Sequence, residues 1–322
     1  MSIVAVLAAG SLLSSAAESR TEPRVFAPGE ISGPVSVDSA TFTPDGRTVV
    51  FDESVGAAST IMVSSRRGGA WSVPRIAPFS GRWSDKDPSM APDGSFLIFG
   101  SNRPSESGGK TLDAVHPDGK VSVGQGDHLW RVDRRGAGWS APVRLPDEVN
   151  DTARIFSASV VADGSVYFQR PDPVSLTFHI FRSQYRDGRY QAPTMILIGP
   201  ASADQRDPAV APDESFIVFS ANYTSKRGAN RLYIAFRKAD GWEPPIDLGD
   251  AVNHDGAEGP HLGPDARTVY YDSSASTAVA FPRSPAQARR DLARARRWDN
   301  GNSHLWRVSL APWLNAHGGA VQ

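Results

Sequence analysis

The sequence predicts an all-β protein, a β-propeller of five four-stranded blades, and three observations support this. A turn centred on aspartate recurs along the chain, as Pro-Asp-Gly or a close variant. Successive copies lie 48, 70, 50 and 52 residues apart, close to the ~45–50 residues that four short strands and their turns need. Each turn separates two β-rich runs, as in "DPSMAPDGSFLIFGSN". The five turns are Pro44-Asp45-Gly46, Pro92-Asp93-Gly94, Ala162-Asp163-Gly164, Pro212-Asp213-Glu214 and Pro264-Asp265-Ala266.

The four strands of a blade follow in the same order in each copy. The first strand enters the turn and the second leaves it, with sequences such as "RTVVFDES" and "SFIVFSAN". Pro fixes φ at the second position of the turn, and Asp and Gly suit the positions after it. A third strand follows, as in "HLWRVDRR", and a fourth comes after a Gly-containing turn. Pro74, Pro142, Pro193 and Pro245 fall in fourth strands, which we therefore place at outer edges, where a missing N–H breaks no ladder.

The fifth copy lacks a fourth strand after "HLWRVSLAPWL", whereas the start of the chain has one to spare. The segment "RVFAPGEI", from Arg24 to Ile31, places Pro28 as the other fourth strands place theirs. We expect this segment to complete the last blade and close the ring, which removes an exposed sheet edge. A six-bladed ring is the alternative, if the insertion in the second copy forms a blade.

Two copies carry insertions, at residues 103–126 and 278–302. The first contains "TLDAV" and "KVSVG" around Pro117-Asp118-Gly119, which predicts an extra hairpin. The second contains "SPAQARRDLARARR", where Ser284 suits a helix N-cap and Pro285 the first helical position. Its arginines are typical of a solvated helix face, and a docking patch for an anionic partner is the alternative. A single propeller domain is thus predicted over residues 23–316, with a tail over 317–322.

The composition excludes several classes of function. The chain has 322 residues, a net charge of −1 and no cysteine. The absence of cysteine excludes disulfides, thiolate nucleophiles and Cys-based metal sites. The net charge gives no reason to expect that the protein binds nucleic acid. The apolar run "IVAVLAAGSLL" is too short to span a bilayer and is followed by small residues, which predicts a signal peptide over residues 1–20. We expect a periplasmic or secreted protein; a disordered or buried N-terminal segment is the alternative.

The repeats carry a family resemblance. "DPSMAPDGSFLIFGSNRP" and "WEPPIDLGDAVNHDGAEGPHLGPDARTVYYDSS" resemble the WD-repeat-like β-propeller repeats of TolB and its relatives. The resemblance covers almost the whole chain after residue 23 and implies the propeller fold. It is limited to the repeats, since TolB carries a separate N-terminal domain for which this chain has no room. Similar repeats occur in periplasmic assembly proteins, in peptidase propellers and in some polysaccharide lyases, so the resemblance does not select one function.

Candidate site residues lie where the chain enters the first strands, at "VDSATF", "KDPSMA", "FSASVV", "RDPAVA" and "EGPHLG". The loops on this rim vary most in length, which favours it as the functional face. Asp87 and Asp207 precede Pro, and capping of neighbouring turns is the structural alternative for them. Lys86-Asp87 and Arg206-Asp207 also suggest internal ion pairs. The predicted ligand-binding residues are Asp87, Asn102, Arg103, Arg154, Arg206, Asp207, Asn222, Glu258 and His261.

No motif in the sequence identifies a reaction. A nucleophile elbow, a zinc-protease helix, a P-loop and a Rossmann fingerprint are all absent from it. We therefore expect a non-enzymatic, monomeric binding module for a protein or glycan of the cell envelope, without cofactor or metal and without a membrane span. A glycan-active hydrolase or lyase is the alternative, and a structural propeller with a channel cation is a third. The catalytic candidates under the enzyme alternative are Asp38, Asp87, Asp207, Glu258 and His261.

Overall fold

The structure, a computed structural model, describes residues 22–319 except 117, 173, 224–229, 255, 275–278 and 280. The predicted signal peptide therefore lies outside the described residues. Five antiparallel sheets surround a central channel, and the first strand of each sheet lies nearest to that channel. The predicted five-bladed propeller is confirmed. The six-bladed alternative is wrong, because the insertion at 103–126 adds only a two-stranded hairpin.

Blades 1, 2 and 4, numbered in chain order, have an outer strand that is broken into two short pieces. Pro74, Pro142 and Pro245 directly precede the second pieces, so the prolines lie on outer edges as predicted. The strands are Ser36–Phe42, Thr48–Val55, Ala58–Arg67, Ala70–Trp71 and Arg75–Ile76 in blade 1; Asp85–Met90, Phe96–Ser101, His128–Arg135, Gly138–Trp139 and Val143–Arg144 in blade 2; and Asp204–Val210, Phe216–Asn222, Arg231–Lys238, Gly241–Trp242 and Ile246–Asp247 in blade 4.

Blades 3 and 5 have continuous outer strands, and that of blade 5 comes from the N-terminal segment. Arg24 lies opposite Arg307 and Val25 opposite Trp306, so the predicted closure of the ring is confirmed. The strands are Phe156–Val160, Val166–Pro171, Phe178–Ser183 and Thr194–Ile196 in blade 3, with a side hairpin of Tyr185–Arg186 and Arg189–Tyr190; and Glu258–Leu262, Thr268–Ser273, His304–Ser309 and Arg24–Val25 in blade 5.

The recurring turns are fixed by their aspartates. In all five turns, Oδ1 of the Asp accepts a hydrogen bond from the N–H two residues further on, at 2.8–3.0 Å. The residue after the Asp has a positive φ, between +47° and +84°. Gly occupies that position in three copies, and Glu214 and Ala266 adopt the same conformation in the other two. The turn therefore has one geometry in all five blades.

The hydrophobic core is divided among the blade interfaces. Five buried clusters are present, one between each pair of neighbouring blades. Phe51 and Tyr270, for example, belong to the cluster between blades 5 and 1, together with Phe26 from the N-terminal segment. Each blade buries one face against each neighbour, so no blade has a complete core of its own. The stability of the ring therefore depends on its being closed.

Two helices lie outside the blades. Helix α1, Pro285–Arg294, begins with the predicted Ser284 cap and has no buried residue. Helix α2, Ala311–Gly319, was not predicted; it includes the start of the segment 317–322 that was expected to be a tail. The insertion hairpin pairs Ala114–Val115 with Val121–Ser122, while Pro117 lies outside the described residues. Within the described ranges, neither helix is long and apolar enough to cross a membrane.

Candidate functional site

Every innermost strand carries a β-bulge at the same place. The register of the first and second strands shifts there in all five blades. One residue of each bulge lies in the left-handed region, with φ between +40° and +55°. A bulge bends its strand and redirects side chains, and here it presents them at the mouth of the channel. The left-handed residues are Ser39, Asp87, Ser157, Asp207 and Gly259.

A cavity of about 360 Å³ opens at this end of the channel. The four predicted carboxylates all line it, although they come from four different blades. Asp52 and Asp272 line it as well and were missed by the sequence analysis. They lie on second strands, opposite Asp38 and Glu258, at equivalent positions in "RTVVFDES" and "RTVYYDSS". The six carboxylates of this channel-mouth cavity are Asp38, Asp52, Asp87, Asp207, Glu258 and Asp272.

Hydroxyl groups connect these carboxylates across the channel. Ser39 of blade 1 donates to Oδ1 of Asp87 at 2.9 Å. The Ser157 hydroxyl of blade 3 lies 2.8 Å from Oδ1 of Asp207 and 3.3 Å from Oδ2 of Asp87. The backbone N–H of Asp87 donates to Asp52 at 3.2 Å. Hydroxyl and amide groups therefore hold these carboxylates in place. A carboxylate oxygen can accept more than one hydrogen bond, so part of the acceptor capacity of the carboxylates remains unused.

The crowding of carboxylates raises their pKa values. Burial raises the pKa of Asp207 to about 6, and the nearby charges of Asp87 and Glu258 add to the effect. Burial and neighbouring carboxylates also hold the pKa values of Asp52 and Asp272 well above the usual range. The pKa of Asp38 is raised as well, chiefly by burial. Part of this cluster is therefore protonated near neutral pH.

The cations of the rim do not neutralise the cluster. Lys86 pairs with Asp127 at 2.8 Å, and Arg206 pairs with Asp204 through two contacts at 2.8 and 2.9 Å. Both cations therefore form internal ion pairs, but with Asp127 and Asp204 and not with Asp87 and Asp207. Arg206 and Asp204 are two residues apart on one strand and share a face, which explains their contact. Among the described residues, no ion pair within 4.0 Å reaches the six carboxylates.

A second cavity, of about 390 Å³, adjoins the first on the side of blades 2 and 3. Lys86, Phe156 and Arg206 line both cavities. Arg154 and Phe178 complete its cationic and aromatic wall, and His116 and Gln125 of the insertion hairpin line the opposite side. The predicted residues Arg154 and Arg206 are thus brought together, beside the channel-mouth cavity.

Three other predicted residues are not part of these cavities. Arg103 is 8% exposed and pairs with Asp85 at 2.6 Å, which makes it an internal residue. Asn102 is 9% exposed and bonds to Ser84 and Gly124, so it anchors the base of the insertion. Asn222 ends its strand opposite Asp204. The prediction that Asn102 and Arg103 bind a ligand is wrong, because the polar groups of both side chains form hydrogen bonds inside the protein.

The structure also separates His261 from Glu258. His261 lies with Pro44, Pro92 and Pro264 at the opposite end of the channel, in a cavity of about 120 Å³. Burial lowers its pKa to about 4, so the ring is neutral near neutral pH. His261 therefore does not line the channel-mouth cavity together with Glu258. Among the described residues, no group of three or more His, Asp and Glu side chains has an arrangement that could hold a metal ion.

Comparison with known proteins shows the fold. No model of a protein family matches this chain, and no curated protein matches it. TolB from Acinetobacter baumannii is similar in structure, at 13% identity and a TM-score of 0.47, over 85% of this chain and 54% of TolB. The chain thus spans about half the length of that relative. The propeller fold predicted from the repeats is confirmed by the five antiparallel sheets of the structure.

Two glycoside hydrolases are also similar in structure. An α-L-arabinofuranosidase from Lactobacillus brevis has 14% identity and a TM-score of 0.55, over 88% of this chain and 92% of the enzyme. A GH62 hydrolase in complex with xylotriose has 10% identity and a TM-score of 0.50, over 88% of this chain and 97% of the hydrolase. At these identities the similarity is one of fold.

Proposed function

We propose that this propeller binds a glycan at the channel-mouth cavity and acts as a binding module. The observation that carries the proposal is the set of six carboxylates from four blades around one cavity. Carboxylates accept strong, charge-assisted hydrogen bonds, and a sugar offers several hydroxyl donors within a small volume. The volume of about 360 Å³ lies within the range of small-molecule sites. A solved protein of this fold with bound xylotriose supports a sugar as the ligand.

The arrangement of hydrogen bonds favours binding over catalysis. Both carboxylate oxygens of Asp87 accept hydrogen bonds from the protein: Oδ1 from the hydroxyl of Ser39 and Oδ2 from the backbone N–H of Ser157. Such contacts fix the orientation of an acceptor before a ligand arrives, which lowers the entropic cost of binding. Each oxygen keeps a further lone pair that can accept a bond from a sugar hydroxyl. We therefore regard Asp87 as a recognition residue.

An Asp87→Asn variant tests this proposal. Asn tolerates the left-handed conformation that Asp87 adopts at φ +51°, so the backbone should be preserved. The full chain would first be screened against an array of plant and bacterial oligosaccharides. Calorimetry on the best ligand should then show a loss of about tenfold or more in affinity, as expected for a hydrogen bond to a charged group. Absence of glycan binding, or unchanged affinity in the variant, would overturn the proposal.

Asp93→Asn provides the matched control. Asp93 lies in the turn at the other end of the channel, where its carboxylate accepts hydrogen bonds from the N–H and the hydroxyl of Ser95. Asn also accepts such a turn bond, so this variant should keep both its stability and its affinity for the glycan. A loss of affinity in Asp93→Asn equal to that in Asp87→Asn would point to a general effect of charge.

Glycoside hydrolysis is the second candidate, and the raised pKa of Asp207, about 6, favours it. A carboxyl group with a raised pKa is protonated over a wider pH range than an ordinary one, and in that form it can protonate a departing sugar oxygen. Wild-type protein incubated with the bound glycan would then release reducing ends. Asp207→Asn should abolish this release and leave binding intact. If the wild type releases none, the protein is a binding module.

We also propose that the protein is exported and acts as a monomer in the periplasm or outside the cell. The apolar run before residue 20 supports this. Cell fractionation with N-terminal sequencing tests it. The mature chain should begin near residue 20 and be absent from the cytoplasm, whereas a cytoplasmic chain that retains the apolar run would contradict the proposal.

A further inference from the structure

The second cavity contains two guanidinium groups that share one aromatic ring. Cζ of Arg154 lies 4.9 Å from the ring centroid of Phe178, and Cζ of Arg206 lies 4.3 Å from it. Lys86 extends the row, since its Nζ lies 4.9 Å from the centroid of Phe156. We call this surface the arginine cleft; it comprises Lys86, Arg154, Phe156, Phe178 and Arg206.

The charges in the arginine cleft are not balanced. Asp127 neutralises Lys86, and Asp204 neutralises Arg206. Within the part of the chain that the structure describes, Arg154 has no carboxylate partner. Burial and the adjacent charge of Arg206 lower the pKa of Arg154, although its guanidinium remains cationic near neutral pH. A local electrostatic conflict of this kind is expected at a functional site.

We propose that the arginine cleft binds an anionic group, so that the ligand of this face is an acidic glycan, such as a uronate-containing oligosaccharide. This inference rests on the proposed glycan-binding function. Arg154 keeps its planar set of donors available, which suits a carboxylate. Arg206 uses Nε and Nη2 for Asp204, so fewer of its donors remain for a ligand.

The two adjoining cavities would orient such a ligand. The six carboxylates of the channel mouth repel an anion but accept bonds from hydroxyl groups. The arginine cleft attracts an anion and is contiguous with the mouth through Lys86, Phe156 and Arg206. A hydroxyl-rich sugar unit therefore occupies the mouth, and its acidic neighbour occupies the cleft.

The test uses the full chain and three oligosaccharides of equal length: an oligogalacturonate, its methyl ester and a sulfated oligosaccharide. Calorimetry should show that the acid binds at least about tenfold more tightly than the ester, since the ester lacks the charge-assisted bonds. The advantage should shrink when the salt concentration rises, because ions screen the attraction. Arg154→Gln should abolish the advantage, because the affinity for the acid should fall much further than the affinity for the ester.

Two variants serve as controls. Arg154→Lys keeps the charge without the planar donors and should retain part of the advantage. Arg75→Gln removes an exposed arginine from the outer edge of blade 1 and should change nothing. Arg154→Gln relieves a repulsion, so its melting temperature should equal or exceed that of the wild type.

The outcomes separate the inference from the proposed function. The inference would be overturned if the wild type bound the acid and the ester with equal affinity. It would also be overturned if Arg154→Gln still bound the acid more tightly than the ester. Either result would leave the proposal of glycan binding intact. If the wild type binds neither the acid nor the ester, the inference is overturned, and if it also binds no glycan of the array, the proposed function is overturned with it. Tighter binding of the sulfated ligand would keep the anion site and overturn the assignment to a uronate.

Discussion

The hydroxyl of Ser157 lies 2.8 Å from Oδ1 of Asp207, and the same hydroxyl is 3.3 Å from Oδ2 of Asp87. A hydroxyl group has one proton, so it can donate to only one of the two carboxylates at a time. The shorter distance indicates that Asp207 receives the bond. Ser157 of blade 3 therefore stabilises the ionised form of Asp207 in blade 4.

The first prediction follows from that bond. Ser157→Ala removes the donor, so the pKa of Asp207 should rise further above its value of about 6. The carboxyl pKa can be measured by carbon-13 NMR of selectively labelled protein. Ser39→Ala is the matched control, because Ser39 also has a positive φ but bonds to Asp87. An unchanged pKa of Asp207 in Ser157→Ala would show that the bond does not form.

The second prediction concerns the dependence of stability on pH. The pKa of Asp207 is about 6 in the folded protein, above the value of 3.8 of a free side chain. Folding therefore favours the protonated form, so the contribution to stability is fully present below pH 3.8 and is lost as the pH rises through 6. The free energy of unfolding should fall across this window.

Asp207→Asn isolates the contribution of this group. The amide does not titrate, so the variant should gain about 1–3 kcal/mol over the wild type at pH 7 and little at pH 4. Asp127 has a pKa raised to about 6 as well, so part of the slope should remain in the variant. Urea titrations at several pH values measure the difference. If the free energy of unfolding of the variant depended on pH in the same way as that of the wild type, the assignment of the raised pKa to Asp207 would be contradicted.

The fold could be predicted because each blade repeats the same local chemistry. The side chains of Asp45 and Asp93 each accept a hydrogen bond from the backbone N–H two residues further on, and the equivalent aspartates of the other blades do the same. The closing strand could be inferred because one blade lacked its outer strand and Arg24 to Ile31 had the required Pro28. Short-range signals of this kind do not depend on how the chain folds elsewhere.

The candidate site could be predicted only in part, because its contacts join distant residues. Lys86 pairs with Asp127, which follows the insertion in the sequence, and no sequence pattern relates these two residues. His261 follows Glu258 by three residues, but the bulge of the strand lies between them, and His261 lines the cavity at the other end of the channel. Asp52 and Asp272 share a repeat position, a signal that could have revealed them.

The third prediction tests the internal role of Arg103. Its side chain is 9% exposed and contacts Asp85, which is fully buried, at 2.6 Å. Arg103→Met would leave that carboxylate unpaired in the interior, at a cost of about 3–5 kcal/mol. Arg186→Met breaks the exposed contact with Asp187 and should cost less than about 1 kcal/mol. Denaturant unfolding compares them, and similar losses would contradict the assignment of Arg103 to the interior.

The fourth prediction concerns the closure of the ring by the N-terminal segment. Phe26 is 5% exposed and packs edge-on against Trp71 and Tyr270, with ring centroids 5.7 and 5.1 Å away. Phe26→Ala should therefore cost about 3–5 kcal/mol, as for other buried aromatic side chains. Val73→Ala is the control, because Val73 is 83% exposed and should cost less than about 0.5 kcal/mol.

Chemical denaturation of the full-length variants measures this cost. Because each blade buries its faces against its neighbours, the loss at Phe26 should appear as a lower midpoint of one cooperative transition. A separate early transition would instead show that the N-terminal strand opens independently. A loss no larger than that of Val73→Ala would show that the ring is closed without the N-terminal strand.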